Sequence, residues 1–273
     1  DLEFPDNIRC YFSDEIPESP ELRTFPQQLT INGNLRIINC PHFTELPADI
    51  QVTGYIGITN CPSFTTLPPH FRTQKSLYIS HCKNFTEFPE GMDIRGRFTI
   101  STCPVSQLPS RLRVGEDLEI DNCRGITALP LDTVVGGGLR INASRIVSIP
   151  PNFASLKFLY LEDCIDLVEL PENLTIFDPF QYDSDAQRGR SKDFFLYNCF
   201  SLDHLPQGLR VEGDLDVLRD EKMLPPGFRE LYCGRLTEDL RRFLPPERDP
   251  CEHKIRELPD YLFVGGNVKF HHH

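Results

Sequence analysis

The sequence predicts a solenoid of the α/β type: short parallel β-strands stacked into a curved sheet on the concave face. The convex side is an extended or 3₁₀ return, and a cap closes each end. Three observations carry this. A marker of Leu, Phe or Ile followed by Pro recurs from Phe25-Pro26 to Leu170-Pro171 at spacings of 21, 21, 21, 20, 21, 20 and 21 residues. Between markers the chain reads L-x-I-x-x-C again and again. A turn of 20–21 residues has room for one short strand and a return, but not for a full α-helix as well.

Taken in order, residues 1–24 fall outside the repeat and mix Phe, Ile and Tyr with acidic residues. They read as an N-terminal cap, because a solenoid left uncapped exposes apolar surface and unpaired edge groups. Repeats occupy 25–235. Their strands are Leu35/Ile37/Cys40, Ile56/Ile58/Cys61, Leu77/Ile79/Cys82, Phe98/Ile100/Cys103, Leu118/Ile120/Cys123, Leu139/Ile141/Ser144, Leu159/Leu161/Cys164 and Phe194/Leu196/Cys199. Leu215/Val217/Asp220 and Leu231/Cys233 continue the pattern in degraded form. Alternation sends the named residues inward and the residues between them outward. A glycine seven residues before the ladder position (Gly33, Gly54, Gly96, Gly137, Gly213) is expected to permit a tight turn into the strand. The prolines remove an N–H and favour extended backbone on the return.

The marker interval of 35 between Leu170 and Leu205 equals one repeat plus about 14 residues, which places an insertion at about 177–192. Residues 236–270 read as degenerate repeats and a C-terminal cap, with a short helix expected at 237–243, and 271–273 as part of a tag. Seven of the ten cysteines share one repeat position, so they read as a column of small buried side chains, each S–H donating weakly to a backbone carbonyl. Ser144 keeps a donor in that column. Such usage suits a reducing compartment.

Composition excludes several classes. A net charge of −12 argues against nucleic-acid binding, which needs clustered Lys and Arg, and favours a protein partner with a basic surface. No apolar run reaches the roughly 18 residues of a membrane span. His42, His70, His81 and His204 occupy unrelated repeat positions, and no phosphate loop, HExxH or CxxC pair occurs. We therefore expect no enzyme, no metal and no cofactor, and a monomer or weak oligomer.

L-x-I-x-x-C with Leu-Pro at this period resembles the leucine-rich repeat, and the 20–21 residue length resembles the class found in bacterial type III secreted effectors of the IpaH and YopM groups. The resemblance covers about 25–235. Cys at the ladder departs from the Asn that class prefers. It implies a virulence effector that recognises a host protein through its concave face after delivery into the reducing host cytosol. Two alternatives accompany it: the substrate-recognition part of a larger E3 ubiquitin ligase, and a plant-type immune receptor fragment, whose repeats also carry L-x-L-x-x-C. The ligases' Cys-x-Asp motif has the same letters as Cys164-Ile165-Asp166, but Cys164 is a ladder residue, expected to be buried and inert.

The outward positions are where function can reside. Arg36, Gly57, Tyr78, Thr99, Glu119, Arg140, Tyr160, Phe195, Asp216 and Tyr232 form one stripe, and Ile38, Thr59, Ser80, Ser101, Asp121, Asn142, Glu162, Tyr197 and Leu218 the next. Two groups emerge: acids (Asp117, Glu119, Asp121, then Glu162 and Asp163) and aromatics (Phe158, Tyr160, Phe195, Tyr197, with Tyr78 apart). Exposed rings beside acids supply rigid apolar area and charge complementarity, as a binding hot spot requires. We expect Tyr78, Glu119, Asp121, Arg140, Phe158, Tyr160, Glu162, Phe195 and Tyr197 to meet a partner. Phe180, Tyr182, Arg188 and Arg190 of the insertion would contribute from its loop. The competing reading is a solvated acidic face with rings covered by the insertion.

Overall fold

The computed structural model describes residues 9–10, 21–27, 29–177, 192–219 and 262–272. The chain is a parallel β-solenoid divided into two units, 1–138 and 139–273. The only helical segment among the described residues is a 3₁₀ turn at Pro151–Phe153. In the first unit the strands Leu35–Ile38, Ile56–Thr59, Leu77–Ser80, Phe98–Ser101 and Leu118–Asp121 stack in parallel with no slip in register. In the second, Leu139–Asn142, Leu159–Glu162, Phe194–Tyr197, Leu215–Arg219 and Val268–His272 do the same.

Each turn also carries a second, two-residue strand that the sequence reading assigned to plain return. These form parallel ladders of their own: Arg9–Cys10, Thr30–Ile31 and Gln51–Val52; Arg72–Thr73, Asp93–Ile94, Arg113–Val114 and Val134–Val135; and, in the second unit, Ser155–Leu156, Thr175–Ile176, Arg210–Val211 and Phe263–Val264. A turn is thus two strands set around a corner, and more side chains point inward than the motif names. Leu108, Leu112, Val114, Leu118, Ile120, Cys123, Ile126 and Leu129 are all buried in a single turn. Each of the Leu, Ile and Val side chains among them contributes roughly 1.5–3 kcal/mol of burial.

The glycines lie at that corner, but for a different reason than a special backbone conformation. Gly33 alone among the five has a left-handed φ, of 144°. At Gly137 a Cβ would fall 2.3 Å from Asp117 Oδ1, and at Gly96 it would fall 2.6 Å from the Ser76 nitrogen. The preceding turn packs against the Cα itself. Beside the glycine runs a row of side-chain oxygens, each accepting an N–H from the next turn: Asn34 from Tyr55 at 3.1 Å, Ser76 from Arg97 at 3.1 Å, Asp117 from Gly138 at 3.0 Å, Asp193 from Asp214 at 2.8 Å and Asp214 from Asn267 at 2.7 Å.

The column of ladder cysteines is as expected. Cys40, Cys61, Cys82, Cys103, Cys123, Cys164 and Cys199 are buried and free. Each sulfur lies 3.3–3.6 Å from the carbonyl two residues before it. Several also approach the previous strand, as Cys61 does Ile37 O at 3.7 Å. Ser144, 2% exposed, sits in the same column with Cys164 Sγ 3.9 Å away. Burial pushes the Cys61 thiol up to about 12 and raises Cys123. Cys103 is raised by the Cys82 sulfur beside it and by burial.

At the C-terminal side, the neighbour of Leu215–Arg219 is Val268–His272, not the strand expected near Leu231 and Cys233. Residues 231–233, like the expected helix at 237–243, lie outside the described residues. Gly265-Gly266-Asn267-Val268-Lys269-Phe270 resembles Gly136-Gly137-Gly138-Leu139-Arg140-Ile141 in its pattern, a signal present in the sequence. His271 and His272, expected in a tag, complete that strand opposite Leu218 and Arg219.

Candidate recognition face

The parallel register places every outward residue beside its counterpart one turn away, so the composition of the stripe becomes the composition of a surface. In the second unit Tyr160 neighbours Phe195, which neighbours Asp216, and Glu162 neighbours Tyr197. Tyr160 and Phe195 meet edge to face at 5.9 Å between centroids, and Phe195 and Tyr197 lie 6.3 Å apart and nearly parallel. All three rings are half-buried. Arg140, exposed on the preceding strand, holds its guanidinium 5.9 Å from the Tyr160 centroid. Four of the residues expected on this face therefore form one contiguous group, on strands whose backbones are fixed by the ladder.

Phe158 does not lie on the outward face as expected. It stacks on Tyr160 at 5.0 Å but is only 5% exposed, so it backs the ring rather than offering a surface. It occupies the corner row, one residue before the strand, where alternation no longer applies. Tyr78 belongs to the first unit, where it meets Tyr55 edge to face at 5.7 Å while Arg36 lies 5.9 Å from the Tyr55 centroid. Tyr55 is also a corner residue, one position before its strand.

The acidic group divides. Asp117 accepts from Gly138 and pairs with Arg97 at 2.9 Å. Glu119 lies 3.6 Å from Arg97 Nε and accepts from Thr99 Oγ1 at 3.1 Å. Asp121 accepts from Ser101 Oγ at 2.7 Å. These three acids are answered by the turn 20 residues earlier. Asp163 accepts from Asn198 Nδ2 at 2.8 Å and sits in left-handed backbone at φ 52°, a structural role. Glu162 differs: among the described residues no hydrogen bond or ion pair reaches its carboxylate. The Tyr197 hydroxyl is likewise without a hydrogen bond among them.

Phe180, Tyr182, Arg188 and Arg190 lie outside the described residues. Among those described, no cluster of three or more His, Cys, Asp or Glu is placed to hold a metal ion, and no helix is long and apolar enough to cross a membrane. The chain matches no family model, no curated protein and no solved structure in the comparisons made.

Proposed function

We propose that the chain is a non-enzymatic recognition module of the leucine-rich repeat kind, which binds a partner protein through the outward face of its second unit. The observation that carries this is the run of half-buried rings Tyr160, Phe195 and Tyr197 on adjacent, in-register strands. Rings on a rigid sheet lose little conformational entropy on binding, which is why aromatic anchors dominate protein interfaces. Arg140 and Glu162 at the margin would set orientation. The Leu-Pro spacing supports the further reading of a secreted bacterial effector acting in a reducing host cytosol, since buried thiols that need no oxidation are at home there.

The test is recovery of partners from host-cell lysate by the wild type and by Tyr160→Ala/Tyr197→Ala, with thermal melts to show that both are folded. Loss of a specific partner from the folded double variant is the expected result. Equal recovery of every partner by both proteins overturns the assignment.

A further inference from the structure

We propose that the Glu162–Tyr197–Phe195–Tyr160 group is a seat for an arginine side chain of the partner protein. This deepens the recognition reading above and rests on it. Two observations point to the chemistry. The first is the contrast among the acids: Asp117, Glu119 and Asp121 are each answered within their own unit, whereas the half-buried Glu162 carboxylate has no partner among the described residues. A carboxylate in that position between Asn142 and Tyr197 is complemented by a cation.

The second is that the surface beside it already accommodates a guanidinium. Arg140 lies 5.9 Å from the Tyr160 ring centre, and Phe195 and Tyr197, 6.3 Å apart and nearly parallel, continue the row of half-buried rings. A planar guanidinium stacks on such rings and donates in parallel to a carboxylate, which a lysine ammonium does less well. The net charge of −12 attracts a basic segment at long range.

The experiment titrates the whole chain with a (Gly-Arg)₄ peptide and its (Gly-Glu)₄ counterpart by calorimetry at near-physiological salt. The arginine peptide binds and the glutamate peptide does not. Glu162→Gln and Phe195→Leu each weaken the arginine peptide by about fivefold or more. Glu169→Gln/Glu172→Gln, which removes two exposed charges elsewhere in the same unit, changes it by less than about twofold, as exposed charges at a distance do. Thermal melts confirm that each variant is folded. Unchanged affinity in Glu162→Gln, or an equal loss in the control pair, overturns the seat and leaves bulk charge as the attraction. The two claims separate cleanly. Partner capture that needs Tyr160 and Tyr197 but not Glu162 removes the arginine seat alone. Peptide binding that needs Glu162, with partner capture indifferent to the rings, removes the recognition reading instead.

Discussion

Thr102 holds a backbone conformation that its side chain disfavours. The residue just before the ladder position is left-handed in eight of the described repeats: Asn39, Asn60, His81, Thr102, Asn122, Ala143, Asp163 and Asn198 have φ between 47° and 55°. Asn and Asp tolerate this region, and Asn60 Nδ2 gains a 2.7 Å bond to Asn39 Oδ1 one turn away. A β-branched Thr gains no such relief. Thr102→Asn is expected to raise stability by about 1 kcal/mol, read as a higher urea midpoint with an unchanged slope. At the same scale, the Cys61 thiol is held up to about 12 against an ordinary 9.0. The folded state therefore favours the neutral thiol, so its contribution is complete below about pH 9 and is lost as pH rises from 9 toward 12. Alkaline unfolding should begin in that window. Iodoacetamide at pH 8 should leave Cys61 unlabelled in the native protein, as read by peptide mass spectrometry. The inward thiols were legible because a period fixes them. The left-handed row was not, because its signature is a residue type that four of eight positions do not carry.

Within one turn, the corner and the spine decide what can be changed. Phe43, Phe64 and Phe85 form a column three residues after the cysteines, with centroids 5.6 and 5.3 Å apart and nearly parallel planes. Phe64 is in the middle and fully buried. Phe64→Ala should cost about 3–5 kcal/mol, measured by chemical denaturation. Two glycines make a sharper comparison. Gly137→Ala would drive a Cβ into Asp117 Oδ1 at 2.3 Å, and should destabilise by about 1–3 kcal/mol. Gly57→Ala meets nothing closer than the Arg36 Cγ at 3.8 Å and should be neutral or stabilising by about 0.5 kcal/mol. Thermal melts of the two variants should move in different directions. The glycine period was plain in the sequence, but its cause was not: close approach is a relation between turns, and a single turn read alone suggests a turn residue. The phenylalanine column repeats as C-x-x-F from Cys40 to Phe85, a signal present in the sequence beside the Leu-Pro markers.

For the molecule as a whole, alternation on in-register strands converted a list of variable residues into a surface, so Tyr160, Phe195 and Tyr197 could be placed together from the sequence, with Glu162 grouped among the acids. Phe158 and Asp117 could not, because both sit at the corner, where the two-residue period is interrupted. The pairing of Glu119 and Asp121 with Arg97, Thr99 and Ser101 was also hidden, since like-charged neighbours along one strand say nothing about the strand before it. What remains is a division of labour: inward and corner residues build the solenoid, and the proposed recognition rests on one stretch of outward residues.

The most direct test is an alanine scan of the outward positions Tyr78, Glu119, Arg140, Tyr160, Glu162, Phe195 and Tyr197 against a captured partner, with affinity and melting temperature recorded for each variant. Losses of about tenfold or more are expected at Tyr160, Phe195 and Tyr197, smaller ones at Arg140 and Glu162, none at Tyr78 or Glu119, with melting temperatures close to wild type. Losses centred on Tyr78 and Glu119, or losses that appear only where the fold is weakened, would contradict the recognition reading.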